Sequence, residues 1–167
     1  MIDLSFDYIG SICDENMLSL RNFIESQSEK IVSLTININS QGGSVPSGIA
    51  LYNYLKQKNF TVITHNLSEV SSAAILLYLA GDIRTASDVS KFIIHPITYN
   101  ITNDLIYPQI KELYESISLD ISNYEKIVNE NTNSLNGLFN TRQCLCSDGV
   151  ILDYSQAYQC GLITPKS

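Results

Sequence analysis

Basic residues are scarce in this chain. It carries 10 Lys and Arg against 17 Asp and Glu, a formal net charge of −7, with no basic block anywhere. Nucleic-acid binding rests on Lys and Arg contacts to phosphate, so that class of partner is excluded. Long apolar runs are absent as well, so no segment can be read as a membrane span. No charged stretch precedes an apolar one in the manner of a secretory leader. The expectation is a mature soluble protein of the cytoplasm. Cysteines number four, Cys13, Cys144, Cys146 and Cys160, and histidines two, His65 and His95. Cys144-Leu-Cys146 lacks the Cys-x-x-Cys spacing of zinc and redox sites, and neither histidine is near it in sequence. Reduced thiols, no metal and no cofactor are therefore expected.

What remains is the composition of a folded globule: 44% apolar and 16% charged residues over 167 positions. That length suits one domain, 1–167, with a sizeable core. Val32, Leu34, Ile36 and Ile38 alternate with Ser33, Thr35, Asn37 and Asn39, a period-two strand that ends at Ser40. Ile2–Ile9, Phe60–Leu67 and Lys91–His95 are further strand candidates. Between them lie helical patterns. Asp14 can cap the first, with Met17, Leu20 and Ile24 on one face. Pro46 fits the first turn of the second, which runs to about Lys58. Strand, helix, strand, helix, strand indicates an α/β fold with a largely parallel sheet. A long helical stripe follows, with Ile110, Leu113, Tyr114, Ile117, Ile121, Tyr124, Ile127 and Val128 on one side. It predicts a projecting helix over about residues 105–130. A polar segment over 129–136 comes next. Asp153 and Gln156 form a capping box for a last helix that ends at Gly161, and 162–164 reads as a short terminal strand.

Two connections carry chemical potential. Ser68–Gly81 reads as a strand end, a sharp turn holding Ser71 and Ser72, and an apolar helix. A hydroxyl there faces free backbone N–H groups at the positive end of a helix, a good place for a nucleophile and its oxyanion. Either serine can equally be a simple helix cap. Gly42-Gly43, after one strand and before a helix, leaves N–H groups uncovered. No phosphate-binding glycine pattern accompanies it, but an oxyanion hole needs only one or two such groups. His95 ends a strand parallel to the one feeding Ser72, and sites in such sheets gather at strand carboxyl ends. His65 lies inside a strand and reads as structural. Lys91 shares a face with His95 and is a reserve base, and Glu69 reads as a surface carboxylate.

These segments resemble one family. Asn39-Ser-Gln-Gly-Gly-Ser-Val45 is similar to the Asn-Ser-Pro-Gly-Gly-Ser-Val segment of the Clp protease proteolytic subunit. Glu69-Val-Ser-Ser-Ala-Ala74 resembles its Gln-Ala-Ala-Ser-Met-Gly, which carries the nucleophile. Ile94-His95-Pro96 resembles its Ile-His-Gln-Pro, which carries the base, and Ala157-Tyr-Gln-Cys-Gly-Leu162 resembles its Ala-x-x-x-Gly-Leu ending. The order is the same in both. In the family a helix-ending glycine follows the nucleophile by nine residues, and Gly81 stands in that register to Ser72 rather than Ser71.

The resemblance implies the Clp/crotonase-type spiral of ββα units, with residues 105–130 as a projecting helix that mediates ring-to-ring contact, in a ring-shaped homo-oligomer. It implies a serine endopeptidase acting on peptides or unfolded protein. Ser72 would be the nucleophile and His95 the general base. The N–H groups of Gly43 and Ala73 would form the oxyanion hole. The family's third member is an acid twelve residues before the Gly-Leu pair; here that register falls on Gly149, so Asp148, one residue off, takes the role, while Ser147-Asp148-Gly149 reads equally as a simple turn and Asp153 as a helix cap. Gln41, Ser68 and Ala74 depart from the family pattern, and the chain begins at the first strand, without the family's pore-loop segment. Tight pairing with an ATP-driven unfoldase is therefore not expected. Competing readings are an inactive structural or regulatory ring subunit, a crotonase-type acyl-CoA enzyme, and a Ser-Lys peptidase similar to signal-peptide peptidase A with Lys91 as base.

Overall fold

The computed structural model describes residues 1–133 and 138–164. The elements run β1 (Ile2–Ile9), α1 (Asp14–Glu25), β2 (Ile31–Ser40), α2 (Val45–Lys56), β3 (Thr61–Ser71), α3 (Ala74–Leu79), β4 (Ile83–Ala86), β5 (Lys91–Ile94), α4 (Tyr107–Asn131), α5 (Thr141–Cys146), β6 (Val150–Asp153) and α6 (Tyr154–Gln159). The fold is mixed α/β, with one six-stranded sheet and a long helix, as expected. Strand order is β1-β2-β3-β5-β6, and β4 also pairs with β3. All pairings are parallel except β5 with β6.

The period-two pattern of β2 sorts its side chains by face. Leu34, Ile36 and Ile38 are fully buried. Asn37, on the opposite face, donates to Asp7 Oδ1 at 2.8 Å. The buried face is covered by helices. α3 is apolar all round and every residue in it is buried, as such a helix must be to leave water. β3 outruns its expected end at Leu67 by four residues. Its first half pairs with β4 (Ile63–Asn66 with Ile83–Ala86) and its last three residues with β5 (Glu69–Ser71 with Lys91–Ile93). That change of partner lets one strand pair with two others along its length and sets its end beside β5.

Pro46 stands in the first turn of α2, as the sequence predicts, and Ser44, which the sequence did not single out, caps that helix by accepting from the Ser47 N–H at 3.2 Å. Asp153 and Gln156 make both bonds of the capping box, at 2.8 and 3.0 Å. Asp14 differs: Cys13 holds the N-cap position of α1, and Asp14 lies in the first turn, where its carboxylate accepts from Ser47 Oγ at 2.8 Å. Residues 162–164 form no strand. Leu162 and Ile163 are buried, and the Thr164 N–H donates to the Arg84 carbonyl. β4, α5 and β6 have only four to six residues, too few to show a period. Part of the polar segment expected over 129–136 lies outside the described residues.

α4 divides along its length. Tyr124, Ile127 and Val128 are buried, whereas Tyr107, Ile110, Tyr114 and Leu119 are exposed. Its first half therefore presents apolar side chains to water. Among the described residues no helix is long and apolar enough to cross a membrane.

Candidate active site

β3 stops at Ser71, and the chain turns sharply into α3. Ser71 is buried and paired with Ile93. Ser72 has φ 54°, and among the described residues no other non-glycine residue has a positive φ. A side chain in the left-handed region costs of order 1–2 kcal/mol, so surrounding bonds must hold it there. They come from three elements. The Ser72 N–H donates to the Ile93 carbonyl of β5 at 2.8 Å. The Ser72 carbonyl accepts from the Ile75 N–H at 3.0 Å, and from the Tyr124 hydroxyl of α4 at 2.8 Å. Burial pushes the Tyr124 phenol well above its ordinary range, so it stays protonated as a donor.

The β2–α2 connection lies against this turn. Gly42 has φ 96°, and a Cβ built on it would stand 2.5 Å from the Ser72 Cβ and 3.0 Å from the Ala73 nitrogen. Its lack of a side chain leaves the front of Ser72 and of the Ala73 amide open. Gly43 has φ 149°, and a Cβ there would collide with the Ile12 carbonyl. The backbone bonds of the two connections use the N–H groups of Ile12, Ser44, Ser72 and Ile75, and among the described residues those of Gly43 and Ala73 take no part in them.

Gly43, Ser44, Val45, Pro46, Ser72, His95 and residues 97–100 line one cavity of about 320 Å³. Ser72 and His95 thus reach the same space from different strands, although no hydrogen bond joins their side chains in this state. His95 Nδ1 lies 2.9 Å from the Pro96 carbonyl. An Nδ1–H tautomer satisfies that contact and leaves Nε2 as an acceptor for a proton. Tyr99, on the cavity wall, donates to Asp120 Oδ2 of α4 at 2.7 Å. Burial, then that carboxylate, push its phenol up.

The remaining sequence candidates lie elsewhere. Asp148 does not touch His95. The β5–β6 pairing sets Gly149 against it, with a Gly149 Cβ falling 3.1 Å from the His95 Cα. Asp148 stands one residue further on, exposed, accepting from Ser147 Oγ at 3.2 Å and Gln143 Nε2 at 3.3 Å. Lys91 starts β5, about 13 Å along the strand from His95 at ~3.3 Å per residue. It is paired with Glu69 at 2.8 Å, so Glu69 is not a free surface carboxylate. His65 lies within β3, with Thr85 Oγ1 at 2.8 Å and Ser87 Oγ at 3.2 Å.

Sequence reasoning counted Tyr124 only as part of the apolar stripe. The signal was available: a tyrosine in a row of Ile, Leu and Val, whose hydroxyl needs a partner once buried. Asp120, four residues earlier on α4, gave no such signal.

A sequence model of the Clp protease family matches residues 13–164. None of the curated proteins matches. Among solved structures, a ClpP1 mutant from Listeria monocytogenes is similar at TM-score 0.72 and 21% identity, covering 95% of this chain and 88% of that one. A mutant of 1510-N, a membrane-bound stomatin-specific protease, is similar at TM-score 0.72 and 15% identity, covering 98% of this chain and 78% of that one. At such identities the likeness is one of fold.

Proposed function

Since this chain belongs to the Clp protease family, we propose that it is a serine endopeptidase that cleaves peptides or unfolded protein through an acyl-enzyme on Ser72. The observation that carries this reading is the pairing of a left-handed Ser72 with His95 on one cavity, in front of two glycines that keep the approach open. Ser72 Oγ attacks the scissile carbonyl while His95 Nε2 takes its proton and then delivers it to the leaving amine. The Gly43 and Ala73 N–H groups receive the oxyanion. Water enters by the same base to release the acyl group. The Pro96 carbonyl holds the imidazole in the useful tautomer, and Asp148 contributes its charge from beyond Gly149. Lys91 is tied to Glu69, which weighs against a Ser-Lys mechanism.

The exposed apolar half of α4 supports self-association, because a stripe of that kind has nothing of its own domain to cover it. We place this face between copies of the chain in a ring-shaped assembly.

The deciding experiment is incubation with a fluorophosphonate probe and mapping of the labelled residue, beside hydrolysis of small peptide esters. Label on Ser72, lost in Ser72→Ala and kept in Ser71→Ala, is the expected result. Label on Ser71 would move the nucleophile off Ser72 and sink this assignment, and no label under native conditions in the assembled state seen by light scattering would favour an inactive ring subunit.

A further inference from the structure

The Ser72–Ala73 peptide is trans, like every peptide bond described. In a planar trans peptide the carbonyl and the following N–H point in opposite directions. Whatever grips the Ser72 carbonyl therefore aims the Ala73 N–H. The grip comes from the interior: the Tyr124 hydroxyl, 1% exposed and 52 residues away in sequence, donates to that oxygen at 2.8 Å. The Ala73 nitrogen is thereby turned toward Gly42, whose missing side chain leaves space before it.

We infer that the Tyr124 hydroxyl is the positioning group of the oxyanion hole, holding the Ser72–Ala73 peptide so that the Ala73 N–H faces the oxygen of the reacting carbonyl. The inference rests on the peptidase reading above. Local bonding alone does not set this orientation. The Ile75 N–H also reaches the Ser72 carbonyl, but it belongs to the same short turn and moves with it. Tyr124 is anchored instead in a 25-residue helix whose second half is packed into the core. It opposes the tendency of a serine at φ 54° to relax toward negative φ.

The group acts only through the peptide, so its loss should reach the transition state and spare substrate binding. Tyr78→Phe is the matched control. Tyr78 is also fully buried, and its hydroxyl donates to a backbone carbonyl, that of Thr85, at 3.1 Å. Both substitutions remove one buried hydroxyl and leave the ring in place, so melting temperatures should fall alike.

The test compares wild type, Tyr124→Phe and Tyr78→Phe for fluorophosphonate labelling rate, kcat and KM on a peptide ester, and inhibition by a peptide boronate, whose tetrahedral adduct fills the oxyanion hole. Removing an oxyanion donor outright costs about 10²–10³-fold. Here the donor remains but is misaimed, so Tyr124→Phe should lose about ten- to a hundredfold in kcat and labelling rate. Boronate affinity should weaken in proportion, with KM within about twofold of wild type. Tyr78→Phe should keep wild-type kinetics. Equal kinetics in the two variants, or a Tyr124→Phe defect confined to KM, would overturn the inference and leave the peptidase reading standing. Absence of label on wild-type Ser72 would overturn both.

Discussion

Gly42→Ala tests the geometry of the site most directly. The substitution adds one methyl group and no chemistry. At φ 96° an L-residue is strained by about 1–2 kcal/mol. The new Cβ would stand 2.5 Å from the Ser72 Cβ and 2.7 Å from the Ser71 carbonyl. Carbon atoms pack at about 3.5–4.0 Å, so the Ser72 turn must retreat by about 1 Å. Overpacking of that size costs about 1–3 kcal/mol. The total, about 2–5 kcal/mol, falls within the ~5–15 kcal/mol typical of a domain, so the variant should fold with a lowered melting temperature. Activity should suffer far more, because a 1 Å misplacement of reacting groups costs about 10²-fold. Gly10→Ala separates the two effects. Gly10 has φ 105°, but its built Cβ meets nothing closer than Asn16 Nδ2 at 3.9 Å. That variant should show the strain alone, with full labelling of Ser72 by a fluorophosphonate. Thermal melts and labelling rates of both proteins decide the matter. Wild-type labelling in Gly42→Ala would refute the argument that this glycine holds the front of the nucleophile open.

Three further substitutions bear on the site and its frame. Asp148→Asn should cut turnover of a peptide ester by less than about tenfold, because the carboxylate is bound to Gln143 and Ser147 and not to His95. A loss near the ~10⁴-fold of a true triad acid would instead show that Asp148 swings onto His95 during the reaction. Arg84→Ala should destabilise the fold by about 3 kcal/mol, or roughly 6–12 °C in Tm, and Arg84→Lys should recover only part of it. The guanidinium donates to the carbonyls of Leu162 at 2.7 Å, Asn131 and Gly161 at 3.0 Å and Gly81 at 3.4 Å, gathering the ends of α4, α6 and α3. A Tm within 2 °C of wild type, by the same conversion a change under about 1 kcal/mol, would refute this. Burial lowers the pKa of His65 below its ordinary 6.5, so the folded state binds its proton less readily than the unfolded chain. The neutral imidazole's contribution to stability is therefore present above pH 6.5 and lost as the pH falls through the lowered folded-state pKa. Melting curves between pH 7.5 and 5 should be flatter in His65→Gln than in wild type. Parallel curves would show that other groups dominate that range.

Much of the fold was legible because its signals are local. The β2 alternation repeats every two residues, Pro46 at the start of α2 and the Asp153–Gln156 box act over four residues or fewer, and the structure shows each of them. The Gly42-Gly43 and Ser71-Ser72 connections were marked for the same reason: glycine pairs and serines at strand ends have conformational preferences of their own. Cys13 displaced Asp14 as N-cap because Asp14 is drawn to Ser47, 33 residues away, a contact no local rule contains.

Pairings distant in sequence were settled only when the chain folded. β3 changes partner from β4 to β5 midway, and β6 joins antiparallel, through strands too short to declare themselves. That pairing sets Gly149 rather than Asp148 against His95, and leaves the Pro96 carbonyl as the neighbour of Nδ1. The meeting of Tyr124 with Ser72 is of the same kind. The residue types were written in the chain: a serine able to sit at a sharp turn, a tyrosine with one polar atom to satisfy. Which carbonyl that hydroxyl would find depended on how α4 packs against α3, and packing is a property of the assembled core rather than of any window of sequence.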